Sequence, residues 1–176
     1  MNEQQILHEY NQGYRDFSGA RLHNIDLSGK KLIGIDLSGA DLSGANLRNA
    51  DLTRANLTRA NLTTADLTGA DLSGAHLWEV NLIGADLHGA MLVGASLVRA
   101  DLRTTDLEGA DLRGANLTQA EVSGANFRRA NLASTCLDGV DLSGADMEAS
   151  DRAQLNATAT TPTTGDAPRW ISWGMH

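Results

Sequence analysis

Nucleophilic catalysis, proton transfer and metal ligation draw mainly on histidine, cysteine and carboxylates. The 176-residue sequence holds five histidines, His8, His23, His76, His88 and His176, in unrelated local contexts, and a single cysteine, Cys136. One cysteine excludes an intramolecular disulfide framework and a cysteine-rich zinc site. Carboxylates are abundant, with 22 Asp and Glu against 14 Lys and Arg for a formal charge of −8. Thirteen of the Asp share one recurring position, a comb that invites thoughts of acid–base work or calcium. Asn takes that position seven times, however, and both residues carry a short side-chain oxygen that accepts hydrogen bonds from backbone N–H groups in bends. The column therefore reads as structural. The Gly-Gly-x-Gly-x-Asp repeat of calcium β-rolls and the Gly-x-x-x-x-Gly-Lys-Ser/Thr phosphate loop do not occur. No catalytic residue, cofactor-binding residue or metal ligand stands out, and the chain reads as a non-enzyme without a cofactor.

The element that positions these side chains is a repeat of five. From Phe17 to Met147 every fifth residue is apolar, 27 positions of which 23 are Leu and the others Phe17, Val122, Phe127 and Met147. Two residues before that centre 19 are Ala, one before it 20 are Asp or Asn, and two after it 15 are Gly, as in Ala40-Asp41-Leu42-Ser43-Gly44. On an α-helix each repeat would turn the apolar stripe by about 140°, so the leucines would point all round the rod. A long strand would alternate them between faces and would hold Gly and Asp/Asn where they fit poorly. The remaining solution bends once per repeat, with Leu and the small residue two before it facing one axis. Four such sides would close a square coil of 20 residues, and coils spaced by about 4.8 Å would then give a rod roughly 30 Å long. Both prolines, Pro162 and Pro168, lie beyond the repeats, as a backbone ladder requires. On this grid His76 and Cys136 share a side but stand three coils apart, about 14 Å, too far to ligate one metal.

The tandem Ala-Asp/Asn-Leu-x-x units over residues 15–149 resemble the pentapeptide-repeat family. That resemblance implies an all-β solenoid, the right-handed quadrilateral β-helix. Some members of the family resemble B-form DNA in shape and charge and inhibit DNA gyrase, while others take part in regulation. Uninterrupted arrays behind an N-terminal helix look like those of cyanobacteria, which implies a bacterial protein.

Residues 1–14 read as an N-terminal capping helix over 3–12. Asn2 and Gln5 form a reciprocal cap, Ile6, Leu7, Tyr10 and Tyr14 form one stripe, and Gly13 is the stop. Its expected role is to cover the open end of the solenoid. The first coil is the least regular, with Arg15, Ile25, Lys30 and Ile35 where Ala is usual, and Lys30 is expected to snorkel. Residues 150–176 read as a flexible tail rich in Thr and Ala with both prolines, ending in Trp170 and Trp173. Those tryptophans suit either a flap over the C-terminal end or a partner-binding element. If nothing covers that end, two rods can stack there into a homodimer.

On the outside, Trp78 lies one coil below Val98 on one side, while Ile83, Met91 and Val93 sit on other sides. Together they form an apolar belt in columns otherwise rich in Ser, Thr, Arg and Asp. Asp66, Asp86 and Asp106 stack in one column, and Asp101, Glu121 and Asp141 in another. The repeat region carries 12 basic and 18 acidic residues, and its arginines interrupt the acidic comb. No long loop bulges from the coils, because the frame never slips.

The acidic balance argues against direct nucleic-acid binding, and neither a signal sequence nor a membrane span is readable, so a cytoplasmic location is expected. The best-supported function from the sequence is a non-catalytic scaffold or protein-interaction module with a protein partner. The candidate contact residues are Trp78, Val98, Ile83, Met91, Val93, Trp170 and Trp173. A DNA-mimicking inhibitor of gyrase is the alternative.

Overall fold

The computed structural model describes residues 1–149, 151–153 and 155. Helix α1 spans Glu3–Asn11 and is followed by a single solenoid. Each residue of the Asp/Asn column but Glu121 pairs in parallel with the residue 20 positions later, from Asp16↔Asp36 to Asn126↔Asp146. The coil is thus four five-residue sides. Each side contributes one bridge residue, so the β-structure is a ladder of bridges and not a set of long strands.

The unit Ala40-Asp41-Leu42-Ser43-Gly44 shows why five residues suffice, because every one of its backbone N–H groups is engaged. Leu42 donates up to the Asn61 carbonyl at 2.8 Å and Gly44 up to that of Thr63 at 2.9 Å. Asp41 donates down to the Ala20 carbonyl at 2.9 Å, and Ala40 closes the preceding turn onto the Leu37 carbonyl at 3.0 Å. The remaining donor, Ser43, is met by Asp41 Oδ1 at 3.1 Å. A bend that left any of these unpaired against the core would lose the stability the ladder supplies. From Gly19 to Gly139 the third residue of each turn has a positive φ, as type II turns require, and Gly44 adopts it at 65°.

Inside, every apolar centre from Phe17 to Phe127 is at most 3% exposed. The alanines two residues earlier fill the gaps between them. At two of these positions the residue is Thr, and each hydroxyl finds a carbonyl: Thr105 Oγ1 donates to Leu82 and Thr135 Oγ1 to Leu112, both at 2.8 Å.

The N-terminal end is closed as expected, with three differences in detail. Ile6 of α1 is fully buried, Leu7 and Tyr10 pack beside it, and Tyr10 Oη donates to the Ile33 carbonyl at 2.9 Å. Lys30 snorkels out to Glu3 at 3.1 Å. The helix stops at Asn11, one residue short of the expected limit. The cap at Asn2 is one-sided: Asn2 accepts from Gln5 N–H at 2.9 Å, but the Gln5 amide turns along the helix to Glu9. Tyr14 leaves the stripe and is 66% exposed, because the helix has ended before it. Arg15 takes the space instead, its guanidinium 3.9 Å from the centre of the Tyr10 ring.

At the other end the ladder falters on one side. Gly124 N–H meets the Gly144 carbonyl at 2.8 Å, one residue later than the regular register, and no bridge joins Glu121 to Asp141. The expected stack of Asp101, Glu121 and Asp141 therefore ends at Glu121. Asp141 escapes the like-charge neighbour that a continued ladder would give it. The tail, expected to begin at 150, does not leave the rod there: 149, 151–153 and 155 are helical. Arg152 caps the last coil by donating to the Leu142 and Ala145 carbonyls, and Leu155 packs on the core. The expected flap or binding element containing Trp170 and Trp173 lies outside the described residues.

Candidate interaction surface

The outward column after each Leu reveals where this chain departs from the needs of its fold. In most units the Asp or Asn before the Leu accepts the N–H of the residue after it. Four units lack that acceptor and carry a large apolar residue at the outward position. They pair Lys31 with Ile33, His76 with Trp78, Met91 with Val93, and Ser96 with Val98. Among the described residues nothing accepts the N–H of Ile33, Trp78, Val93 or Val98.

Two of these units sit on one side in adjacent coils, joined by the His76↔Ser96 bridge, so Trp78 and Val98 are vertical neighbours. Trp78 is 37% exposed, and Val98 is half-buried. Beside them runs a vertical chain of charge. Arg59 Nε donates to Glu79 Oε2 at 2.8 Å, Arg99 Nη1 reaches Glu79 Oε1 at 3.3 Å, and the Arg59 guanidinium lies 5.0 Å from the centre of the Trp78 ring. All three charged residues hold a positive φ, 58°, 52° and 57°, at corners where glycine is the usual occupant. The left-handed region is costly for residues with a Cβ. The Trp78 and Val98 units thus forgo the side-chain acceptor of regular units, and Glu79 and Arg99 hold corners that Gly74, Gly84 and Gly94 take in the units next to them in sequence.

The other belt residues do not join this face. Ile83 is half-buried on the next side, where Asn81 still meets its N–H at 3.1 Å. Met91, 42% exposed, and Val93 occupy another side. The sequence did not single out Ile33, which is 37% exposed beside the capping helix. Its signal was the Lys31 in the column where Asp or Asn is usual.

The acidic columns are partly neutralised. Arg48 holds Asp66 at 3.0 Å, Arg103 holds Asp101 at 2.7 Å and Arg113 holds Asp111 at 2.7 Å. The guanidinium hydrogen bond of Arg103 lowers the Asp101 carboxyl below its ordinary range, and Arg113 does the same to Asp111. At Asp16, Asp26, Asp41 and Asp141 the serine two residues on lowers the carboxyl, first through its hydroxyl and then through its backbone N–H. These shifts belong to local turns. Cys136 is half-buried, with Thr118 Oγ1 3.3 Å from its sulfur. Among the described residues no helix is long and apolar enough to cross a membrane.

The grid also assembles three side chains that the sequence reading did not connect. His88, Asp106 and Glu108 lie on one side, their ligating atoms all within 4.8 Å of one another. The signal was the spacing: 88 and 108 are one 20-residue coil apart, and 106 is the bridge position of the upper coil.

Comparison with known proteins places this architecture. The family model described as pentapeptide repeats (8 copies) matches residues 31–69, 70–109 and 110–148. Among solved structures, HetL, a pentapeptide repeat protein involved in heterocyst differentiation regulation from the cyanobacterium Nostoc, is 31% identical. It matches with a TM-score of 0.53 over 84% of this chain and 97% of its own. The plasmid-mediated fluoroquinolone resistance protein QnrB1, in a trypsin-treated form, is 20% identical with a TM-score of 0.44 over 85% of this chain and 93% of its own. A pentapeptide repeat protein of the Arabidopsis thaliana thylakoid lumen is 26% identical with a TM-score of 0.43 over 88% and 90%. No curated protein matches the chain. The square solenoid is accordingly the right-handed quadrilateral β-helix that the resemblance implied, and the chain belongs to the pentapeptide-repeat family.

Proposed function

We propose that this chain is a non-catalytic protein-interaction module whose partner docks on the side bearing Trp78 and Val98. The observation that carries this reading is the coincidence of two departures on one face. The backbone N–H groups of Trp78 and Val98 are left without the side-chain acceptor of regular units, and the outward side chains are apolar where Ser and Thr are usual. Nothing in the axis requires either change. An aromatic anchor flanked by arginines is the composition that concentrates binding energy in protein interfaces. The likeness to HetL, a protein involved in regulation, supports a regulatory role exercised through contact. A cytoplasmic setting in a bacterial cell is part of this proposal; pairing of two copies through the C-terminal end draws less support, because Arg152 and Leu155 already cover part of it.

The test is affinity capture by the full chain, by Trp78→Ser/Val98→Ser, and by a chain truncated after Leu155, which removes Trp170 and Trp173 but keeps the residues that close the last coil. A partner retained by the truncated chain and lost by the double variant supports the reading. A partner indifferent to the double variant overturns it, and one lost on truncation alone moves recognition to the tail. The gyrase-directed alternative draws less support, because arginines hold Asp66, Asp101 and Asp111 on three sides of the rod. Unchanged supercoiling by gyrase at tens of micromolar protein would dispose of it.

A further inference from the structure

We infer that His88, Asp106 and Glu108 form a surface site for a borderline divalent cation of the zinc, cobalt or nickel class. The three donors come from two adjacent coils of one side. His88 and Glu108 occupy the outward position after Leu87 and Leu107, and Asp106 is the bridge residue of the upper coil, two positions before Glu108. One imidazole nitrogen and two carboxylate oxygens are a ligand set that these metals accept, with the remaining coordination positions left to water or to a partner's side chain.

The geometry leaves room for an ion. The donor atoms lie within 4.8 Å of one another, yet no hydrogen bond or ion pair joins the His88 side chain to either carboxylate. A point equidistant from three corners 4.8 Å apart is about 2.8 Å from each, and metal bonds to N and O are about 2.0–2.2 Å. Side-chain rotations that draw each donor in by well under 1 Å complete the site, and exposed His88 is free to make them.

The surroundings hold the donors without consuming them. Asp106 Oδ1 is fixed by Glu108 N–H at 2.9 Å and by Asn126 Nδ2 at 3.2 Å, which leaves Oδ2 for a ligand bond. Asn126 also reaches Glu108 Oε2 at 3.4 Å, so one amide orients both carboxylates, as outer partners of metal ligands do. The bridged neighbour Asp86 adds a third carboxylate, engaged with His88 N–H at 2.9 Å. Among the described residues no Lys or Arg lies within 4 Å of Asp86 or Asp106, and the nearest to Glu108 is Arg129 at 4.0 Å with a side chain 77% exposed. That contrasts with Asp66 lower in the same column, which has Arg48 at 3.0 Å. A cation is what this stretch of the column lacks.

The experiment is a calorimetric titration of the full chain with Zn²⁺, beside His88→Asn, Glu108→Gln and, as a control on another side, His23→Asn. One Zn²⁺ per chain is expected, with affinity at least tenfold weaker in His88→Asn and in Glu108→Gln and unchanged in His23→Asn. Circular dichroism should be the same for all four proteins, since the altered side chains are outward. Backbone amides broadened by substoichiometric Mn²⁺ or Co²⁺ should centre on residues 88 and 106–108. Absence of uptake at 50–100 μM Zn²⁺, uptake unaltered by His88→Asn, or broadening centred on other histidines overturns the inference.

Discussion

The unit Ala40–Gly44 and the unit containing Trp78 share a backbone but not an economy of hydrogen bonds. In the first, Asp41 meets the N–H of Ser43, Ser43 Oγ donates back to the same oxygen at 2.7 Å, and glycine takes the strained corner. In the second, His76 offers no acceptor, Trp78 replaces the small hydroxyl residue, and Glu79 holds the corner at a φ of 52°. Outward residues in regular units are accounted for by the turn they sit in. Those of the Trp78 and Val98 units are not, which makes them the informative part of the surface.

The hardest way to break the comparison is from beneath, because both kinds of unit rest on the same axis. Leu87→Asp places a charge among fully buried leucines and should cost more than about 4 kcal/mol, seen as loss of the cooperative urea transition. Asp71→Ala strips a regular unit of its acceptor for Ser73 N–H, now met at 2.9 Å, and should lower stability by about 1 kcal/mol in the same assay. The reverse change sharpens the contrast. His76→Asn supplies the acceptor that Trp78 N–H lacks and should raise stability by about 0.5–1 kcal/mol. If it does not, the departure at Trp78 carries no cost and does not mark that face as a contact surface.

A smaller effect comes from the corners. Thr104 is β-branched and holds a φ of 56°, so Thr104→Gly should stabilise by about 0.5–1 kcal/mol, read as a rise in melting temperature. The smallest is acid sensitivity. Ser28 and Ser43 hold the Asp26 and Asp41 carboxyls below their ordinary value in the folded chain, so these groups bind fewer protons folded than unfolded. Their contribution is complete above about pH 5 and is lost as pH falls through the lowered folded value. Asp41→Asn keeps an acceptor but removes the charge and its proton linkage, and should lower stability slightly at pH 7 and flatten its fall below about pH 4.

The one-sided axis was legible from the sequence because burial imposes a strict period, whereas the square section and the hand of the coil came with the family resemblance. The role of the Asp/Asn column was legible for a related reason: Asn56, Asn61 and Asn116 do the work of Asp. What escaped were features set by pairs of coils or by the ends. The grid that stacks Trp78 under Val98 also stacks His88 under Glu108, but it does not show the side-chain directions that bring both to Asp106. Tyr14 looked continuous with the helical stripe because periodicity does not show where a helix stops. The shift at Gly144 arises where the ladder runs out, and no residue type announces it. The link between a missing Asp or Asn and an outward apolar residue was present in the letters. It gained meaning only when the N–H of Ser43 was seen to need Asp41.

The axis and the surface of this rod obey different periods. Leucine returns to the interior after five residues, but a surface position returns to its column only after 20. Gain or loss of one five-residue unit would leave every leucine inside while turning everything beyond it by a quarter revolution. Arg48 would part from Asp66, and Trp78 from Val98, if the unit entered between them. Gain or loss of four units would preserve all columns and change only the length. Such a chain can be lengthened in evolution without relearning its core, but its surface patterns survive only changes that complete a turn.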